Sequence, residues 1–361
     1  MFESEAVILI TSCRFRDPVH GFIEIRPWEE KIIDSKPFQR LRRIKQLSLT
    51  YLVYHGAEHT RFGHSLGVMH LVSRAFRAVV TNTNRLFTPE QSEWYEQILR
   101  LIALTHDLGH APFSHGSESV FPEGLEHEDF TYKIILNTEI AGYITEMGSD
   151  YQDGNNKFLA IDRGGVHAFE EFVLARYFMF VQVYFHKTRR FLDKMLVDFL
   201  QDSLPGGKYP KDVSEYLGWD DGAVWEKIQQ SESKLESASR LINRRIMKCV
   251  YESPTHSNLQ EIQKYNMIKA DLKRMIGEEH LLLDSADKMT HKIPLRHELN
   301  DEKSIPIILN HSEQPSTIGQ ESEIIGKMTE PINILRIYAK EDLCGKAETA
   351  VRQKMKDMSG E

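Results

Sequence analysis

The sequence predicts a mainly α-helical body followed by a smaller mixed α/β appendage. Three observations predict it. Apolar residues recur at helical spacing through the first two hundred positions. A long apolar stretch, 165–200, has the length of helix rather than strand. Beyond the breaker run Leu204, Pro205, Gly206 and Gly207 the chain turns polar, with two short strand-like segments. The expected division is therefore a core over 1–204 and a mixed region over 205–361.

The elements follow in order. Phe22 to Arg26 alternates apolar and polar after a glycine and reads as a strand. Asp34 to Phe38 opens a helix with Pro37 in its first turn, carrying Phe38, Leu41, Ile44 and Leu47. A second helix spans about 65–80. A third starts at Thr88, where Thr88 and Gln91 form a capping box, and runs into His106 and Asp107, with Gly109 as its stop. The 165–200 stretch is apolar on most faces and should be buried in the core or a subunit interface. Ser231 to Tyr251 reads as a further helix. Ser304 to Leu309 and Ile332 to Ala339 read as strands, and His311 to Gln320 as a loop between them.

Composition narrows the function. The chain has 361 residues, 41% hydrophobic and 27% charged, enough for a substantial core. A net charge of −8 argues against a polyanion binder held by bulk electrostatics. Two basic runs, Arg40, Arg42, Arg43 and Lys45, and Arg244, Arg245 and Lys248, read as solvated helix faces, so nucleic acid is not the expected partner. The three cysteines are far apart and fit a reducing, cytoplasmic setting. No apolar run approaches the ~20 residues of a membrane span, and residues 1–13 lack the basic start of a signal peptide.

Chemistry concentrates in the histidines. Sixteen are present, and two groups stand out: His59 to His64 with H-x-R-F-x-H spacing, and His106 to His115 with H-D-x-G-H followed by a further histidine. An adjacent His and Asp at a helix end can reach one ion, and a histidine from a neighbouring helix would complete three ligands. Imidazole and carboxylate suit Mn, Fe, Co, Ni or Zn, while Mg favours oxygen alone. His55, His70, His167 and His186 stand apart and are expected to be ordinary core or surface residues.

The stretch from Gln46 through His59, Arg61 and His64, with the run from His106 through His110 to His115, closely resembles the HD-domain deoxynucleoside triphosphate (dNTP) triphosphohydrolases. Asp17 to Gly21 and Phe38 to Arg42 also match. The resemblance covers 14–137 and resumes over 158–195. It implies an HD-domain helical bundle, a divalent metal on His64, His106 and Asp107, and hydrolysis of a dNTP to deoxynucleoside and triphosphate. His110, His115, Glu118 and His127 match the groups around the scissile phosphate, with His115 as general acid. Gln46, Arg61, Arg176 and Tyr184 match substrate-binding residues, and Phe180 stands where one relative has a histidine. Asp34, Gln39 and Arg42 match a regulatory nucleotide site, and the family pattern implies a homo-oligomer. The family's fourth ligand and phosphate-binding helix would fall between Thr138 and Lys157, where this chain carries an internal deletion. Asp150, Asp153 and Asp162 are the candidate substitutes. The alternative is a nucleotide-binding or regulatory protein on a weakened HD scaffold.

Overall fold

In the computed structural model the described residues are 13–83, 86–146, 159–289, 305–309, 314–328 and 330–359. The chain divides into two compact units, Met1–Asp153 with Asp193–Arg244, and Gly154–Leu192 with Arg245–Glu361. This differs from the single break expected after residue 204. The reason is packing: Tyr209, Tyr216, Val224 and Ile228, all beyond that point, are buried with the first unit.

The first unit opens with a hairpin, Cys13–Asp17 paired antiparallel with Gly21–Ile25. The expected strand is its second arm. Two short helices follow, Pro27–Asp34 and Lys36–Arg40, each with proline at its start. The predicted helix through Leu47 is shorter than expected. After Arg40 only a 3₁₀ turn, Leu41–Arg43, continues it, and Ile44 is extended. The competing interaction is a backbone pairing: Gln46 N–H donates to His59 O, and Arg61 N–H donates to Ile44 O.

Arg61–Asn82 and Pro89–Thr105 are the two long helices of this unit and pack on each other. Thr88 and Gln91 make the expected capping box. His106 caps the end of the second helix, so His106 and Asp107 sit where the helical hydrogen bonds run out. The 3₁₀ turn Ser114–Val120 and the helix His127–Asn137 complete the surroundings. The core includes Phe38, Leu41, Met69, Leu104, Phe113, Phe130 and Phe199.

The second unit is built on an antiparallel sheet in which Ile332–Ala339 lies between Lys248–Glu252 and Leu281–Lys288. The helices Leu259–Ile276 and Cys344–Ser359 contribute Ile268, Leu272, Ala347 and Val351 to the core cluster that also holds Leu335 and Ile337. The strand expected at Ile332 to Ala339 is present, and that expected near residue 306 spans Pro306–Ile308. The 311–320 loop contains a two-residue strand, Ser316–Thr317, and enters the helix Ile318–Glu321. Its residues 311–313 lie outside the described residues.

Two helical expectations fail. Ser231 to Tyr251 is not one helix but Glu236–Ile242, a turn with Arg244 at φ 49°, and the strand Lys248–Glu252. The apolar strand Ile332–Ala339 supplies a partner that a helix could not use. The 165–200 stretch is not continuous either. It comprises Val166–Phe178, a π-helical turn Met179–Tyr184, and Lys187–Ser203. Phe185, with Tyr177, Phe180, Val181 and Tyr184, packs on Ala286, Ile332 and Ile334. Phe172 and Phe178 remain exposed, so burial on every face is not seen within the unit.

Candidate metal and phosphate site

The site lies wholly in the first unit. His64 comes from the first turn of Arg61–Asn82, and His106 and Asp107 from the end of Pro89–Thr105. Their ligand atoms all lie within 4.8 Å of one another. His64 Nε2 is 3.5 Å from Asp107 Oδ2, and His106 Nε2 is 3.1 Å from Asp107 Oδ1. His106 Nδ1 lies 2.7 Å from Ala103 O, a carbonyl that can only accept, so Nδ1 carries a proton and Nε2 is the nitrogen that faces Asp107. Burial lowers His64 to about 4, so its imidazole is neutral near pH 7. Burial would raise Asp107, but His110 and the Arg61 charge outweigh it and hold the carboxyl well below its usual range. The His64 and His106 imidazoles and an ionised Asp107 carboxylate are a donor set that fits a divalent cation.

The second group touches Asp107 through His110. His110, His115, Glu118 and His127 also place one ligand atom each within 4.8 Å of one another. His110 Nε2 is 3.3 Å from Asp107 Oδ1. Glu118 Oε1 is 2.8 Å from His115 Nδ1 and 2.9 Å from His127 Nδ1. The His110 and His127 rings stack at 3.8 Å, and His110 meets His115 edge-on at 4.9 Å. His110 is buried and lowered to about 3, chiefly by that burial. His127 is raised: burial opposes its charge, but the Glu118 carboxylate prevails. Glu118 is lowered because His115 and His127 outweigh its burial.

The backbone that presents these groups is tightly constrained. A Cβ on Gly109 would stand 2.0 Å from His127 O and 2.3 Å from Thr131 N, so only glycine lets the helix His127–Asn137 approach. Phe113 and Ser114 both have left-handed backbones, φ 57° and 53°. Each costs on the order of 1–3 kcal/mol for a residue with a Cβ. Ser114 Oγ donates to Lys45 O and accepts from Arg61 Nε. Thr131 Oγ1 accepts from Gly109 N–H and donates to His106 O. Ser114 and Thr131 were not singled out from sequence, and their ordinary types carry no signal without the fold.

The other expected residues are placed as follows. Arg61 is buried, and its Nη1 donates to Asp107 Oδ2 at 2.6 Å. Gln46 is near the same segment, and its buried Oε1 accepts no hydrogen bond among the described residues. Arg176 and Tyr184 belong to the second unit, where the Arg176 guanidinium lies over the Phe180 ring and Tyr184 packs beside it. Asp34, Gln39 and Arg42 share one short stretch. Gln39 Nε2 donates to Ile33 O, Arg42 Nε donates to Gln39 Oε1, and Arg42 stacks on Phe62. Arg40, expected on a solvated face, is buried and bonds Trp219 O. Asp162 accepts from Gly164 N–H as a cap in the second unit. Asp150 and Asp153 lie outside the described residues. No fourth His, Cys, Asp or Glu joins His64, His106 and Asp107 among the described residues.

Residues 61–148 match the HD domain, and residues 151–353 match the HD associated region. An uncharacterized protein of Bacillus subtilis is 33% identical over 245 residues, which is 52% of this chain and 54% of that protein. The deoxynucleoside triphosphate triphosphohydrolase of Gallus gallus is 50% identical over 145 residues, 38% of this chain and 23% of the relative. The chain thus spans about half the Bacillus protein's length and less of the Gallus enzyme's. A solved structure of a hypothetical protein from Aquifex aeolicus matches with a TM-score of 0.75 and 27% identity, covering 94% of this chain and 99% of that one.

Proposed function

From the premise that this chain belongs to the HD-domain family, with an HD-associated region, we propose that it is a metal-dependent phosphohydrolase acting on dNTPs. The observation that carries this reading is the meeting of two histidine–carboxylate groups at one buried aspartate, Asp107. HD domains bind divalent metals, and His64, His106 and Asp107 are the residues that would hold one here. A bound cation would polarise a phosphate oxygen and lower the pKa of water.

The remaining steps fall to side chains. Arg61 orients Asp107 and adds positive charge beside the phosphates. Water adds to the α-phosphorus, the bond to the 5′-oxygen breaks, and deoxynucleoside and triphosphate leave. His115, steadied at Nδ1 by Glu118, protonates the leaving 5′-oxygen. His110 and His127 flank the reacting phosphate. Gln46 contacts the sugar and phosphates. A regulatory nucleotide near Asp34, Gln39 and Arg42, a homo-oligomeric state and a cytoplasmic setting belong to the same reading. The described helices include none long and apolar enough to cross a membrane.

The test is product analysis of metal-loaded protein with each of the four dNTPs. Deoxynucleoside and triphosphate in equal amounts are expected. Release of monophosphate with pyrophosphate, or no product at all, overturns the reading. A second reading, a binding or regulatory protein on the same scaffold, is favoured by the three-ligand set. It expects an empty metal site after purification without chelator.

A further inference from the structure

We propose that Asp221 is a positioning residue for this site, because its carboxylate ties together the two backbone segments that carry the site's side chains. The proposal rests on the phosphohydrolase reading for its kinetic consequence, but not for its structural one. Asp221 Oδ1 accepts from Phe113 N–H at 2.6 Å, and Oδ2 accepts from Lys45 N–H at 2.8 Å. Phe113 is the first of the two strained left-handed residues between His110 and His115. Lys45 neighbours Gln46 and bridges to Thr60, next to Arg61.

The two bonds start a continuous chain of contacts that ends on a metal ligand. Lys45 O accepts from Ser114 Oγ, which accepts from Arg61 Nε, and Arg61 Nη1 donates to Asp107 Oδ2. The residues just before Asp221 grip the same turn. Tyr216 Oη donates to Gly109 O at 2.7 Å. Arg40 Nε donates to Trp219 O, its Nη1 donates to Leu108 O, and its guanidinium lies over the Tyr216 ring. Residues 216–221 thus hold the His106–His115 segment directly at Gly109 and Phe113, and at Leu108 through Arg40.

The adjacent aspartate shows what ordinary capping looks like. Asp220 accepts from Ala223 N–H as the helix cap and pairs with the exposed Arg43. Capping needs only that residue. Asp221, one position on, is turned inward and buried, although burying a carboxylate is costly. The two backbone N–H groups account for its orientation. An asparagine there offers one acceptor oxygen, so whichever way the amide turns, Lys45 or Phe113 loses its partner.

The experiment compares Asp221→Asn with Asp220→Asn and the unaltered protein at pH 8. It reads metal per chain, kcat and KM on the best dNTP, and hydrogen exchange of the amides over 111–118. Asp221→Asn is expected to keep its metal and its KM within about threefold. Its kcat should fall ten- to a hundredfold, with faster exchange at 113–116. Asp220→Asn should behave as the unaltered protein. Equal kcat and equal exchange in the two variants overturn the proposal, as does a loss of activity that merely tracks loss of metal and folded protein. If Asp221→Asn does not fold, Tyr216→Phe carries the test. Its kcat should fall two- to tenfold with metal retained, and unchanged kcat and exchange count against the proposal. If the unaltered protein hydrolyses no dNTP, the functional reading fails alone. Exchange over 111–118 and the rate of carbethoxylation at His115 then decide the positioning role.

Discussion

Two buried aspartates, one in each unit, sit among opposite neighbours. Asp107 is surrounded by His64, His106 and His110, with Arg61 on one oxygen. Asp284 is held by guanidinium groups. Arg190 reaches both of its oxygens, and Arg336 lies 3.5 Å away while also pairing with Glu252 and donating to Phe185 O. Guanidinium neither loses its proton in proteins nor offers a lone pair, so the arginines around Asp284 can neither exchange a proton nor help hold a cation. Imidazole can be neutral and ligate. The Asp107 cluster can therefore exchange a proton or take a cation. Burial of charge alone does not mark a functional site, and the partner's chemistry separates the two.

The largest expected effect comes from Asp107→Asn. The loss of the anionic ligand should empty the metal site and lower turnover by about a thousandfold or more, on the order of 4 kcal/mol in the barrier. Metal analysis beside product release checks it, and metal retained at full stoichiometry breaks the contrast. Next is Asp284→Ala. Removing the carboxylate takes from Arg190 its two-pronged acid partner and leaves Arg336 with Glu252 alone, and should cost about 3–5 kcal/mol of stability. Urea unfolding measures that, while metal per folded molecule should not change.

A smaller effect is expected from His115→Gln. It removes a proton donor but no metal ligand, so kcat should fall about a hundredfold or more at unchanged metal content. The smallest effect is a pH dependence. Burial pushes Asp221 up to about 7, against the pull of two backbone N–H donors. The unfolded chain releases this proton near pH 4, whereas the folded chain keeps it to about 7. The folded state binds more protons in that window, so stability falls as pH rises from about 4 to about 7. The slope is at most about 1.4 kcal/mol per pH unit. The difference in unfolding free energy between the unaltered protein and Asp221→Asn, followed from pH 5 to 8, isolates this contribution.

The legibility of the chain follows the range of the forces involved. The capping box at Thr88 and Gln91 was legible because both partners lie within one turn. The stop expected at Gly109 comes earlier, since the helix ends at Thr105, and the glycine at 109 serves packing instead. Glycine is needed there because His127 O and Thr131 N approach from a distant helix. The His106–Asp107 pair was readable because the two are adjacent at a helix end. The helix expected over 231–251 was not, because the strand that competes for its residues lies some eighty positions away. Arg40 read as a surface charge, and its burial depends on the Trp219 carbonyl and the Tyr216 ring.

The sequence by itself determined that His106 and Asp107 stand side by side at a helix end, a donor pair suited to a divalent cation, and that most of the chain is helical. Those properties rest on side-chain type and on spacing within one or two turns. Only the tertiary structure decided that His110, His115, Glu118 and His127 gather into one group that touches Asp107 through His110, and that residues 216–221 support the turn between them. Both depend on hydrogen bonds and packing between segments far apart in the chain, which local pattern does not encode.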